Sequence, residues 1–363
     1  MKRGLVAVAG LLALGLIAPA CSTIGDPGGM PEALPHGGTG AFRVLEAPEE
    51  TGLRGTPGAA LLLLEDAFVG AMVQGDFVFF TSAPPVEEPL PMVPEDHPAG
   101  EIFWPAFEAR RIHRGARRDD GFGAFDGGGA ILTAEAAWEG EEVFDPWVVE
   151  DGGVARLYYA ADGGIGVAEA PGLDGAFTRV GDGPVLGPEA AATGAPTRPS
   201  VVRGPEGDWL MYYDAGGEIR VARSSDGLAF TPLGPITVEG MDLGESPELE
   251  RAHPGALAVT TPAGRPLVRL YFESIREDGA HKLYVAGSFD GVAFERHEVE
   301  LLESVDLRYP APVALDERVT LLYASTRFNS VGRITRGLQK RALIVSVAPL
   351  STSFLPPEED EAE

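Results

Sequence analysis

Six histidines and one cysteine are the residues a transition-metal or thiol site would draw on, and their spacing supplies neither. His36, His97, His113, His253, His281 and His297 show no close pairing of the kind that holds a zinc ion, and Cys21 stands alone. No serine sits in a nucleophile-elbow context, and the glycines form no phosphate or dinucleotide fingerprint at a strand-to-helix turn. Carboxylates, arginines and aromatic rings are left to carry chemistry. Trp104, Trp138, Trp147 and Trp209 offer flat apolar faces on which the C–H side of a sugar ring can stack. Trp209 begins a repeated apolar segment and reads as core, whereas Trp147, two residues beyond Asp145, is the best cavity candidate. The run Arg110-Arg111-Ile-His113-Arg114-Gly-Ala-Arg117-Arg118 is the densest positive cluster. It suits an anionic glycan, a phosphate or an acidic partner, or else a solvated loop that offsets local acid. Arg327, Arg333, Arg336, Lys340 and Arg341 form a second cluster with the same two readings.

The charge balance narrows the partners. Across 363 residues, 28 Lys and Arg stand against 55 Asp and Glu, a formal net charge of −27. Nucleic-acid binding draws most of its affinity from clustered cations, so DNA and RNA are excluded as ligands. With 44% hydrophobic residues the chain is globular, and 48 Gly and 31 Pro favour many short strands over long helices.

The ends differ from the middle. Met1-Lys2-Arg3 is a positive leader to an uncharged apolar run, followed by Ala18-Pro19-Ala20-Cys21, the anatomy of an export signal. The order of apolar run, small residues and cysteine resembles the lipobox of bacterial lipoproteins, which implies a signal over residues 1–20 and lipidation of Cys21. An ordinary signal cleaved nearby is the alternative. Ser22 after the cysteine, by resemblance to Gram-negative sorting patterns, implies an outer-membrane address. Residues 21–40, rich in Gly and Pro, read as a flexible tether. The acidic residues 356–363 read as a disordered tail.

Between the ends, over 41–355, one pattern recurs. X-Pro pairs at Thr56-Pro57, Asp145-Pro146, Arg198-Pro199, Ser246-Pro247 and Tyr309-Pro310 each precede apolar strands. The second strands align as Val154–Ala160, Trp209–Tyr213, Val268–Glu273 and Val319–Ala324. Three copies of an Asp-Gly turn with a following phenylalanine, at Asp226-Gly227…Phe230, Asp290-Gly291…Phe294 and Asp174-Gly175…Phe177, supply the positive φ of a tight hairpin and a ring to pack between sheets. Internal repeats of this length point to a five-bladed, all-β propeller with four-stranded antiparallel blades; a two-sheet sandwich is the rival. The segment Ala41–Leu45 could pair with the last blade and close the ring.

Over roughly Gly55 to Leu350 the chain resembles the five-bladed β-propeller glycosidases, glycoside hydrolase family 43 and its relatives in families 32 and 130. Phe144-Asp145-Pro146-Trp147 is similar to their Asp-Pro strand, and Glu245-Ser246-Pro247 to their Glu-x-Pro segment. The resemblance implies Glu245 as general acid and Asp145 as base or as the group that tunes the acid. Inverting hydrolysis needs such a pair about 6.5 to 9.5 Å apart, with room for water. Three departures point the other way. Arg54-Gly55-Thr56-Pro57 carries no Asp where the family places its base, an intact unit separates Asp145 from Glu245, and Arg198 and Arg308 stand where they would neutralise the carboxylates or contact substrate. Several such enzymes hold an axial Ca²⁺, which the resemblance allows here without naming ligands. The expectation is an envelope-anchored lipoprotein that acts on or binds an extracellular glycan through Asp145, Glu245, Arg198, Arg308 and Trp147. The alternative is a non-catalytic binding or scaffolding propeller.

Overall fold

The computed structural model describes residues 43–44, 59–60, 68–82, 110–117, 125–126, 128–239, 248–260, 264–277, 281–296, 307–314, 319–327 and 341–349. The signal, Cys21, the tether, Glu245, most of the second basic cluster and the acidic tail lie outside them. The described strands pair into five sheets. The first holds Phe68–Gln74, Phe77–Ser82, Arg111–Arg117 and Phe125–Asp126, with Ala130–Leu132 also on its third strand. Val143–Asp151, Val154–Ala161, Gly164–Ala170 and Thr178–Arg179 make the second; Thr197–Arg203, Trp209–Asp214, Ile219–Ser224 and Thr231–Pro235 make the third. The fourth runs Glu248–Thr260, Pro266–Arg276, His281–Ser288 and Ala293–Arg296, with Thr237–Glu239 added in parallel at its outer edge. The fifth is Leu307–Ala314, Val319–Arg327 and Arg341–Pro349.

The first strand of every sheet lies beside the first strand of the next, and that of the fifth returns to the first. This circular arrangement of antiparallel, chiefly four-stranded blades is a β-propeller, not a sandwich. The fifth sheet is completed from the other end of the chain. Arg43 and Val44 pair with Val347 and Ser346, as the strand expected near Ala41–Leu45 required, and Ala59 and Ala60 pair with Ile344 and Leu343.

Alternation explains the interior. Strand residues such as Val78, Leu157, Tyr158, Leu210, Tyr212, Leu270 and Phe272 are fully buried and fill two apolar clusters, one across the first three sheets and one across the third and fourth. The Asp-Gly turns fasten one sheet to its neighbour. Ser224 Oγ accepts from the Gly227 N–H at 2.9 Å, and Asp226 Oδ1 accepts from the Leu228 N–H at 2.8 Å. The Gly227 carbonyl receives the Tyr158 hydroxyl from the preceding sheet at 2.9 Å, and Phe230 meets the Tyr158 ring edge-on at 6.0 Å. The next copy repeats this almost atom for atom: Tyr212 donates to Gly291 O at 2.8 Å, and Phe294 meets Tyr212 at 5.7 Å. Gly227 and Gly291 have φ of 77° and 78°, and an added Cβ would fall 2.9 and 3.1 Å from those hydroxyls. In the loosest copy Phe79 replaces the tyrosine, and Arg114 Nη1 bonds the Gly175 and Leu173 carbonyls at 2.8 Å instead.

The first basic cluster is thereby absorbed into packing. Besides Arg114, Arg110 pairs with Glu142 and lies 3.5 Å over the Phe144 ring, and His113 Nδ1 meets the Gly128 carbonyl at 2.9 Å. The segment is a packed strand, Arg111–Arg117, and not the solvated loop expected. Glu139, fully buried, is the other polar fastening. It accepts from Arg179 Nε at 2.6 Å, Tyr159 Oη at 2.7 Å, and the Glu135 and Ala136 amides at 2.8 and 2.9 Å. Burial pushes its carboxyl up, but Arg179 and these other donors together hold it below the usual glutamate value.

Candidate functional site

The site is built by one backbone device used repeatedly. In the innermost strands, pairing slips between Phe144 and Trp147, Thr197 and Ser200, Ala252 and Gly255, and Arg308 and Ala311. At each slip the chain carries an X-Pro pair: Asp145-Pro146, Arg198-Pro199, His253-Pro254 and Tyr309-Pro310. Proline has no N–H to offer the ladder, so the bulge costs no donor, and bulges re-aim side chains. The residue before each proline is left-handed, with φ of 51°, 52°, 56° and 58°. Such a backbone costs a non-glycine residue on the order of 1–3 kcal/mol, and in native structures strain of this kind concentrates at ligand and active sites. In the first sheet the slip falls between Val69 and Ala71, which puts Gly70 in the corresponding place.

Residues of the second strands secure three of the bulges. Thr81, Ala160, Asp214, Glu273 and Ser325 stand opposite the residue just before the slip in the five sheets. Three of them hold the bulge of the next sheet through its amide. The Asp145 N–H donates to Thr81 Oγ1 at 2.8 Å, the His253 N–H to Asp214 at 3.0 and 3.1 Å, and the Tyr309 N–H to Glu273 Oε1 at 2.8 Å. Ala160, the residue ahead of Arg198, has no side-chain acceptor to give.

Asp145, Trp147, Arg198, His253 and Tyr309, with the bulge prolines, line one recess at the ring's centre. Arg198 is its hub. Nη1 bonds Asp214 Oδ2 at 2.9 Å, Nε lies 3.8 Å from Asp145 Oδ2, and the guanidinium sits 5.3 Å from the Tyr309 ring centre. Burial opposes its charge, yet Tyr309, Asp145 and Asp214 keep the guanidinium more firmly protonated than usual. For Asp214, burial dominates and raises the carboxyl above the ordinary aspartate value in spite of Arg198 and His253. His253 lies against Tyr309, ring centres 4.1 Å apart, with Nδ1 2.5 Å from Glu273 Oε1.

Three of the sequence candidates therefore meet. Asp145 and Arg198 face each other, and Trp147 lines the recess while its indole N–H donates to the Val201 carbonyl at 2.9 Å. Arg308 stands opposite Ser325, one residue before the recess residue Tyr309. The repeat position in the fourth sheet is His253-Pro254, not Ser246-Pro247, which precedes the strand, and in the first sheet it is Gly70, not the Thr56-Pro57 region. His253, Tyr309, Asp214 and Glu273 were missed. Aligning each X-Pro on its second strand, instead of on its distance from the last repeat, would have found the first two. An axial divalent cation does not fit the described residues: the Arg198 guanidinium occupies the space between Asp145 and Asp214, where a second cation would be repelled. Among the described residues no three His, Cys, Asp or Glu side chains converge as a ligand set.

No protein-family model matches the chain, and no curated protein matches it by sequence. Solved structures do. The chain is similar to a β-xylosidase at 15% identity and TM-score 0.52, over 81% of this chain and 95% of that one. An endo-1,4-β-xylanase from Bacteroides thetaiotaomicron is 15% identical with TM-score 0.52, over 79% and 91%. A family 117 glycoside hydrolase from Zobellia galactanivorans is 16% identical with TM-score 0.53, over 86% and 91%. At such identities the likeness is one of fold: the chain has the β-propeller fold found in glycoside hydrolases.

Proposed function

We propose that the five sheets are the five blades of a glycan-binding propeller whose axial recess holds one sugar unit. The observation that carries this is the convergence of four chemically unlike side chains, Asp145, Arg198, His253 and Tyr309, from strained, corresponding positions into one recess. The fold shared with sugar-cleaving enzymes supports a glycan as the ligand. Binding is favoured over cleavage by two features. Asp145 faces an arginine, and Gly70 stands where the first sheet would have to supply a carboxylate. On this reading the propeller is carried on a lipid at Cys21 at the bacterial outer membrane and is separated from it by the 21–40 tether.

The test is a calorimetric and sugar-release screen of residues 22–363 on neutral plant and microbial oligosaccharides. Binding without release, abolished in Arg198→Ala, supports the reading. Release that disappears in Glu245→Gln would instead establish hydrolysis with that residue as acid. The anchor is tested separately: fatty-acid labelling of the full chain in a bacterial host should vanish in Cys21→Ser, and labelling that persists would remove the lipid assignment.

A further inference from the structure

A second set of polar groups stands at the rim, on the seam between the first two sheets. Ala130–Leu132 lies on the outer side of the first sheet, and Thr178–Arg179 is the outermost strand of the second. Leu132, Thr133 and Glu135 from one side and Phe177, Thr178 and Arg179 from the other line a groove. Three strand spacings, roughly 15 Å, separate this outer edge from the innermost strands that build the recess. Arg179 has five N–H groups. Nε and one N–H of Nη2 bond Glu139, the other of Nη2 bonds the Thr133 carbonyl, and Nη1 gives one to Glu135 Oε2 at 3.1 Å. Among the described residues the second N–H of Nη1 has no acceptor. Glu135 is the complementary half. Its side chain is 70% exposed, its backbone N–H is tied to the buried Glu139 at 2.8 Å, and its Oε1 accepts no hydrogen bond among the described residues. The contact between the two side chains is solvent-exposed, so a ligand reaches it without disturbing the core.

We propose that this groove is a second saccharide-binding site, in which one sugar hydroxyl donates to Glu135 Oε1 and the adjacent hydroxyl accepts from Arg179 Nη1. It rests on the glycan-binding reading above for the class of ligand, and not for the site. A hydroxyl both donates and accepts, so a vicinal diol satisfies the two open groups at once. The guanidinium is already fixed by Glu139 and the Thr133 carbonyl, so little side-chain freedom is lost when a ligand arrives. Phe177, set edge-on to Phe79 at 6.1 Å, gives the groove the aromatic lining that small-ligand sites combine with a few placed polar groups. Buried Glu139 thus does more than fasten two sheets: it holds a rim arginine in one orientation.

The test uses the full chain in a detergent without a sugar headgroup, titrated with neutral xylo- and arabino-oligosaccharides and followed by calorimetry and amide NMR. Expected are two sites per chain, with the Glu135, Thr178 and Arg179 amide signals moving as one of them fills. Glu135→Ala should weaken that site by about tenfold or more, the worth of one hydrogen bond to a charged group, and leave the other site intact. Arg179 keeps Glu139 and Thr133 in this variant, so the sheets stay fastened. Arg198→Ala should do the reverse, abolishing the recess site while the groove signals still respond. Groove signals that stay still while a sugar binds, or that respond with unchanged affinity in Glu135→Ala, overturn this inference and leave the recess reading standing. Binding that persists unchanged in Arg198→Ala and is lost in Glu135→Ala upholds the groove and removes the recess. If no saccharide binds anywhere, the glycan reading falls and this inference with it.

Discussion

Two sets of repeated positions in this propeller have opposite histories. At the rim, the turns at Gly227 and Gly291 agree in serine, aspartate, glycine and phenylalanine, in their tyrosine partners, and in hydrogen-bond lengths to within 0.1 Å for Tyr158 and Tyr212. At the axis, Asp145, Arg198, His253 and Tyr309 share a bulge, a following proline and a left-handed φ, but no two share a side chain. Where the repeat must fasten sheet to sheet, both backbone and side chains are kept. Where it faces the recess, only the backbone is kept. The axis is therefore a platform that carries a different side chain at each of these positions, and the left-handed backbone recurs at Arg198, where Ala160 offers the bulge no side-chain acceptor, as it does at the three positions that have one.

The contrast can be tested by substitution, starting with the strongest effect. Glu139→Ala would leave the Tyr159 hydroxyl and the Glu135 and Ala136 amides without their acceptor and Arg179 with only Glu135 and the Thr133 carbonyl, and should cost about 3 kcal/mol in chemical denaturation; a loss below about 1 kcal/mol would show the fastening to be dispensable. Tyr158→Phe and Tyr212→Phe each leave a buried glycine carbonyl unpaired and should cost about 1–2 kcal/mol, nearly the same for both. A clear inequality would break the claim that the rim copies are energetic equivalents. At the axis, Arg198→Gly should be more stable than Arg198→Ala by roughly 1 kcal/mol, because glycine adopts positive φ without a Cβ penalty. The reverse order would mean the bulge is unstrained.

The smallest effect is in pH dependence, and its sign differs between the two regions. Glu139 is held below its ordinary value, so its contribution is present above that value and lost as pH falls through the lowered one. Asp214 is held above its ordinary value. Between the two values the folded chain keeps a proton that the unfolded chain releases, so stability drops as pH rises through that window. Arg198→Ala removes the group that pulls Asp214 down and should extend the window upward, seen as a melting temperature that declines over a wider acid range. An unchanged profile would separate Asp214 from Arg198.

Much of the scaffold was legible. The second strands expected at Val154–Ala160 and Trp209–Tyr213 appear as Val154–Ala161 and Trp209–Asp214, because aromatic and β-branched runs bounded by Gly and Asp carry their own signal. The Asp-Gly turns were legible because their chemistry is local. The recess was legible only where it repeated a visible word. Asp145, Trp147 and Arg198 could be read beside their prolines, but Asp214 and Glu273 act across sheets on residues far along the chain. Gly70 carries no proline to mark it. His253 was passed over because Ser246-Pro247 offered a closer match in type to the expected acid.

The last sheet is closed by residues from the opposite end of the chain, with Arg43, Val44, Ala59 and Ala60 laid along Arg341–Pro349. A circle fastened this way cannot be completed by any partial product of synthesis or export. Until its final strand arrives, the early segments have no edge to join, and the fifth sheet is a gap through which neighbouring strand edges remain open to other chains. Completion is thus a single late event, and loss of either Arg43–Val44 with Ala59–Ala60 or Arg341–Pro349 would open the same seam.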